Sequence, residues 1–205
     1  MRTIQGSIIF HSIYEDVNGY TVSREAKKNN QKQNAKSKFL YGEVPFIAWD
    51  AMVRKANPKK DAVFFDLGSG TGRAPLLSHL LFDFKKSVGV EMLEGLHDVA
   101  CEAREKIAKY AKPEFLDYLK DRELCFLNEN IFDVDFSEAD FLFINFPLVG
   151  EKNYLLLEEK LRRELKPKTK IIATLRELKN PVFKQFHHGI YKFSWGRADA
   201  YFYEI

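Results

Sequence analysis

The stretch Asp66-Leu67-Gly68-Ser69-Gly70-Thr71-Gly72 sets three glycines behind an acid. An apolar run, Ala62-Val63-Phe64-Phe65, leads in, and an amphipathic stretch, Arg73 to Leu81, leads out. Strand, glycine turn and helix in that order form the first unit of a nucleotide-cofactor fold. Glycine lacks a Cβ, so the backbone can turn tightly and come close to a ligand. The helix that follows points its first N–H groups at that ligand. The spacing narrows the choice. A dinucleotide fingerprint needs glycine at position 73, where Arg73 stands, and a P-loop needs a closing G-K-S/T that is missing. A second apolar run, Lys86-Ser87-Val88-Gly89-Val90, ends in Glu91, 19 residues beyond Gly72. A carboxylate there is placed to accept both hydroxyls of a ribose, which implies a free 2′-hydroxyl and so an adenosine-type cofactor other than NADP.

The elements that must position these groups follow from periodicity. After the first strand and helix and the second strand come a helical stretch from Leu93 to Leu119, broken at Pro113, and strands over 124–127 and 140–145. A helix over 154–165, a strand over 170–175 and a hairpin of 190–195 and 198–205 about Gly196-Arg197 complete the chain. The expected fold is α/β and Rossmann-like: a seven-stranded, mostly parallel sheet closed by an antiparallel C-terminal hairpin, plus a small N-terminal extension. Asp66, Glu91, Asn130 and Asn145 all fall at carboxyl ends of strands, where such sheets bind ligands. Upstream, Val44, Ile47, Ala48, Ala51 and Met52 mark a helix face, with Pro45 in its first turn. Asn18-Gly19 reads as a hairpin turn, and Arg24 to Lys38 as a marginal helix or linker. This divides the chain into an arm, 1–38, and a domain, 39–205.

Length and composition suit one α/β domain with an appendage: 205 residues, 45% hydrophobic. The net charge of +3 is small, yet Arg24 to Lys60 holds ten Lys/Arg against three acids. A basic patch beside a cofactor domain suggests a protein substrate with an acidic surface, or nucleic acid bound through 24–60. Cys101 and Cys125 lack metal or redox spacing and read as reduced thiols. No signal-peptide or membrane-length apolar run is present, which points to the cytoplasm and to no membrane partner.

The D-x-G-x-G-x-G pattern resembles motif I of class I S-adenosylmethionine methyltransferases. The chain as a whole resembles the histone lysine methyltransferases of the disruptor-of-telomeric-silencing family over roughly 39–205. The resemblance rests on Tyr41-Gly42-Glu43, on Asp66 to Gly72, on Gly89-Val90-Glu91, on Phe143-Ile144-Asn145-Phe146, on Ser194-Trp195 and on Tyr201-Phe202-Tyr203. It implies methyl transfer from S-adenosylmethionine to a protein lysine amine. Departures are Ile144 for the family's first asparagine, Asn130 for its acid, Ile131 for its adenine-stacking aromatic and Ala200 for the first of its tyrosine pair.

By resemblance and location, Gly68, Ser69, Gly70 and Gly72 pass under the cofactor and Asp66 anchors its methionine end. Glu91, with Met92 beside it, takes the ribose. Asn130 accepts from the adenine amino group through its side-chain oxygen, and Ile131 packs on the ring. Tyr41 and Glu43 close over the methionine moiety. Asn145 lines the transfer point, and Phe146, Tyr41 and Tyr201, with Trp195 as a further candidate, wall the acceptor channel. No metal cluster or general base is expected. His187-His188 reads as a surface turn, and Glu158, Glu159 and Glu164 as a solvated helix face. Two other functions fit less well. Asn145-Phe146-Pro147-Leu148 partly imitates the N-P-P-aromatic motif of base-amino methylases. The losses at Ile144 and Ala200 would suit a degenerate cofactor-binding domain that docks a partner.

Overall fold

The computed structural model describes residues 2–31, 41–145 and 150–205. A seven-stranded sheet runs in the order β3-β2-β1-β4-β5-β7-β6. Strands β1 (Ala62–Leu67), β2 (Phe84–Val90), β3 (Glu123–Leu127), β4 (Phe141–Asn145) and β5 (Lys170–Thr174) are parallel. β6 (Lys184–Phe193) and β7 (Gly196–Glu204) form an antiparallel hairpin, with β7 paired to β5. The strand order reverses between β1 and β4, the switch point where α/β sheets open a ligand crevice at their carboxyl edge. No helix among the described residues is long and apolar enough to cross a membrane.

Alternation along the strands builds two cores. Phe64, Phe84, Phe141, Phe143 and Phe202 face one side and meet helices α1 (Arg2–Tyr14), α3 (Phe46–Ala56) and α4 (Arg73–Leu81). Phe65, Val88, Leu142, Ile144 and Tyr203 face the other, against α8 (Glu151–Glu164). On the first side Phe84 stacks on Phe141 at 5.7 Å with rings 7° apart, and Trp49 stands edge-on to Phe143 at 4.8 Å.

Several local expectations are corrected. The N-terminal hairpin is a pair of helices, α1 and α2 (Gly19–Gln31). Ile9, Phe10, Ile13 and Tyr14 are buried at helical spacing. Asn18, read as a turn residue, instead caps α2: its Oδ1 accepts the Thr21 N–H at 3.1 Å. The part of the linker over 32–38 lies outside the described residues. The apolar face of α3 is turned by one residue: Ala48, Trp49, Met52, Val53 and Ala56 are buried, while Ile47 is 80% exposed and Ala51 is also outside. Pro45 stands before the helix as its N-cap, and the phase is the one that buries the indole. Of the helix acids Glu158, Glu159 and Glu164, only Glu159 lies on a solvated face. Glu158 is buried and accepts the N–H groups of Lys179 and Asn180, each at 2.9 Å, and Glu164 accepts the Phe136 N–H at 3.1 Å.

The histidine pair lies within β6, which begins earlier than its apolar pattern suggests. His187 faces Phe202 at 5.0 Å and His188 stacks on Tyr201 at 4.8 Å, on opposite faces as a strand requires. The long helical stretch is three pieces, α5 (Glu94–Glu105), α6 (Ile107–Tyr110) and α7 (Pro113–Leu119).

The phase of α3 has a direct test. Trp49→Ala should cost about 3–5 kcal/mol in urea unfolding, and Ile47→Ala should stay within about 0.5 kcal/mol. The reverse ranking would reject this packing.

Candidate active site

Beyond the carboxyl ends of β1, β2 and β4 lies a cavity of about 420 Å³, a size ordinary for a small-molecule site. Its floor is the glycine loop. Gly68, Gly70 and Gly72 have φ of 86°, 55° and 81°, a region closed to most side chains. A Cβ on Gly70 would come 3.0 Å from the Tyr41 ring, so glycine there keeps the loop open beneath that residue. Gly72 plays a different part. It does not line the cavity; it starts α4, and a Cβ on it would come within 2.7 Å of Phe126 and Ala100. Its expected ligand contact is replaced by packing, because its α-carbon faces β3 and α5.

Glu91 follows β2 at the cavity wall. Its Oε2 accepts the Gly70 N–H and its Oε1 the Leu93 N–H, both at 2.9 Å. Each oxygen keeps a lone pair for a further donor such as a ligand hydroxyl. Burial raises the carboxyl's pKa against the opposing pull of those amides and of Lys27. Asp66 ends β1 beside it. Its carboxyl is raised well above the ordinary range, first by burial and then by Glu91, and its Oδ1 has no partner. A buried oxygen without a donor is costly, so this position asks for a ligand that brings a cation or N–H group. Ser69 Oγ is likewise buried without a partner at the cavity.

Tyr41-Gly42-Glu43 is a strap across these groups. The Tyr41 hydroxyl donates to Glu43 Oε1 at 2.8 Å and lies 3.2 Å from Thr71 Oγ1. Glu43 Oε1 is 3.1 Å from Arg73 Nε, and the Arg73 guanidinium rests 4.2 Å over the Tyr14 ring. Burial above all pushes the Tyr14 and Tyr41 phenols up, so both stay hydrogen-bond donors at neutral pH. The backbone of Glu43 pairs with Ser194: its N–H donates to Ser194 Oγ at 2.8 Å and its carbonyl accepts from Ser194 N at 3.1 Å. Trp195 covers Gly42 so closely that a Cβ there would lie 2.2 Å from the indole. Asn145, at the end of β4, donates from Nδ2 to the Gly42 carbonyl at 3.3 Å and accepts from Thr174 Oγ1 at 2.6 Å. Both bonds fix its amide, with an Oδ1 lone pair to spare.

Tyr41, Glu43, Asp66, Gly68, Ser69, Gly70, Glu91, Met92, Asn130, Ile131 and Asn145 thus share one cavity, as their spacing suggests. Asn130 is altered in detail: its Oδ1 accepts the Phe132 N–H at 3.1 Å and closes a turn. Phe132, which the sequence reading passed over, joins Ile131 on that wall; an aromatic next to the matched position was its signal. Thr71, Arg73, Ser23, Lys27 and Asn153 are also additions to the cavity wall. Phe146 lies outside the described residues. Tyr201 does not line the cavity. It pairs in register with Ala173, which pairs with Ile144, and so stands on the sheet face opposite Asn145, Thr174 and Ala200. Trp195 acts on the strap without lining the cavity.

The raised Asp66 carboxyl has a stability consequence. A carboxyl whose folded pKa lies above its unfolded value of 3.8 costs nothing below that pH and its full penalty above the folded pKa. Asp66→Asn should therefore stabilise the ligand-free protein at pH 7, with the gain shrinking as pH falls through the raised folded pKa and gone below about pH 4. Thermal midpoints across that range check this; an equal gain at all pH values would contradict the burial of a charge.

Comparison with known proteins agrees with this geometry. The family model described as histone methylation protein DOT1 matches residues 19–190. A protein-lysine N-methyltransferase of Saccharolobus islandicus (strain REY15A) is 32% identical over 126 residues, covering 60% of this chain and 67% of that protein. An RNA methyltransferase from Salinibacter ruber, solved with S-adenosyl-L-homocysteine, superposes with a TM-score of 0.57 at 21% identity, over 79% of this chain and 92% of that one. The rRNA methyltransferase AviRa from Streptomyces viridochromogenes gives 0.58 at 14% identity, over 80% and 86%. At such identities these two show the shared fold. The family match runs from the start of α2 into β6 and takes in every residue that lines the cavity, and the chain belongs to the DOT1 histone methylation family of class I S-adenosylmethionine-dependent methyltransferases.

Proposed function

We propose that the protein methylates a lysine amine of a protein substrate. The observation that carries this reading is the strap: Tyr41-Gly42-Glu43 lies across the donor cavity and joins Asn145 through the Gly42 carbonyl. The family description and the name of the Saccharolobus relative support the same acceptor class.

The cavity's chemistry fits S-adenosylmethionine. Asp66 offers an unpartnered carboxyl oxygen for the methionine ammonium, Glu91 keeps lone pairs for ribose hydroxyls, and Ile131 and Phe132 offer apolar surface for adenine. When bound, the cofactor supplies an electrophilic methyl on a sulfonium. The chain's own part is alignment, which suits an in-line displacement. Asn145 orients the acceptor: Gly42 takes one Nδ2 hydrogen and Thr174 one Oδ1 lone pair, which fixes the amide so that the second Oδ1 lone pair accepts an amine N–H and turns the amine lone pair toward the donor. A lysine must arrive neutral, and a poorly hydrated site favours that form. Tyr41, kept protonated by burial, presents a ring and no negative charge.

The basic stretch 24–60 is proposed to steer an acidic partner. Arg54 and Lys59 are engaged by Asp50 and Asp140, whereas Arg24, Lys55 and Lys60 stand exposed. Replacing those three by Gln should slow association and flatten its salt dependence once a substrate is in hand. An unchanged salt slope would leave them as ordinary surface charges.

Labelled S-adenosylmethionine incubated with the protein and a cell lysate should yield protease-sensitive label on lysine. Nuclease-sensitive label would instead favour a base amino group, reached through Asn145 and the residues after it. Asn145→Ala should lower turnover by at least about a hundredfold while S-adenosylhomocysteine affinity stays within about threefold. A parallel loss of both would mean that Asn145 serves the donor rather than the acceptor.

A further inference from the structure

Helix α2 lies along the cavity and is built into its wall. It begins against the strap, where a Cβ on Gly19 would come within 2.2 Å of the Tyr41 hydroxyl and of Glu43 Oε1. Tyr20 stands edge-on to Tyr41 at 5.3 Å, and its hydroxyl is 2.6 Å from Ser194 Oγ. Ala26 rests on Gly95 of α5, where a Cβ would approach to 3.4 Å. These contacts turn one helical face inward, and Ser23 and Lys27, one turn apart on it, line the cavity together with Glu91.

Two features of that face are left unused by the protein alone. Ser23 is 1% exposed, yet its Oγ has no hydrogen-bond partner. A helical serine commonly bonds back to the carbonyl four residues earlier; this one does not, although a buried hydroxyl without a partner is costly. Lys27 is partly buried, which lowers its pKa, and the field of Glu91 opposes that loss. The charged groups facing Glu91 are Lys27 of α2 and Asp66 of β1, with the N–H groups of Gly70 and Leu93 on its oxygens. Burial pushes the Glu91 carboxyl up, the backbone N–H groups on it and then Lys27 pull it back, and Glu91 in turn pushes Asp66 up.

We propose that α2 is part of the cofactor site, with Ser23 hydrogen-bonding the nucleoside and Lys27 acting as a positioning residue on the cavity wall beside Glu91, which receives the ribose. This rests on the donor assigned above and not on the lysine acceptor. Both residues come from a helix that precedes the glycine motif by some forty positions, outside the strand ends where nucleoside ligands are usually sought.

Calorimetric titration of the full chain with S-adenosylhomocysteine from pH 5 to pH 8 tests it. Ser23→Ala and Lys27→Met should each weaken binding by about fivefold or more at pH 7. Lys27→Met should also move the acid limb of binding to higher pH, and Lys27→Arg should restore it. Lys85→Met, an equal charge change at the opposite end of β2, should bind as the wild type does. Circular dichroism shows whether α2 remains folded in each variant. Wild-type affinity and an unmoved acid limb in folded Ser23→Ala and Lys27→Met would overturn the inference alone. A wild type that binds no S-adenosylhomocysteine would overturn the donor with it, and a different methyl acceptor would leave it standing.

Discussion

The ion pair between Arg73 and Glu43 decides where the strap lies, and the strap decides the shape of the site. Tyr41-Gly42-Glu43 belongs to no helix or strand. Arg73 is the first residue of α4, where a cation opposes the helix dipole, so a carboxylate drawn onto it relieves an unfavourable position. The guanidinium is held from behind by Tyr14, whose hydroxyl donates to the Thr71 carbonyl at 2.7 Å. Helix α1, the glycine loop and the strap thus meet at one side chain. Position 73 is also where a dinucleotide-binding loop would place glycine. The same residue that excludes that ligand class provides the anchor that this site needs.

The sheet sets Asn145 and Ile144, neighbours at the cavity, on opposite faces. Asn145, Thr174 and Ala200 form one row across β4, β5 and β7, on the side of the strap. Ile144, Ala173 and Tyr201 form the neighbouring row on the other side, and Ile144 is 1% exposed in the second core. Two departures from the family pattern, Ile144 and Ala200, therefore differ in physical meaning. The first replaces a polar group with a core side chain. The second removes a ring from the row that holds the Asn145 amide. The Tyr201 ring is on the wrong side of the sheet to take its place.

What the sequence made legible was whatever depends on spacing along one element. The glycine turn, the strand-end acids and the alternation of strand and helix are of that kind, and the cavity gathers nearly all the residues they suggest. What it hid depends on a second segment. Asn18-Gly19 suits a hairpin and a helix cap equally well, and only the buried row Ile9, Phe10, Ile13 and Tyr14 decides between them. Glu158 resembles a solvated acid until the turn at Lys179 and Asn180 is laid on it. Gly72 matches a ligand-loop glycine, but the need it meets is set by Phe126 and Ala100. Ser23 and Lys27 carry no motif at all; Glu91, which lines the cavity with them, is more than sixty residues away.

The place of β7 has a consequence for how the protein is made. β7 comes after β6 in the chain but sits between β5 and β6, and it alone joins the hairpin to the parallel strands. During synthesis β5 emerges with one flank unpaired, and it stays so until residues 196–204 have left the ribosome. A bare strand flank invites pairing with other nascent chains. Ser194, which pairs with Glu43, is docked only when the hairpin closes on β5, although the strap was translated some hundred and fifty residues before. The assembled site is thus a late product of folding: a shortened or stalled chain can carry the whole glycine motif and the Arg73–Glu43 pair and still lack the Ser194 contact that braces the strap from the hairpin side.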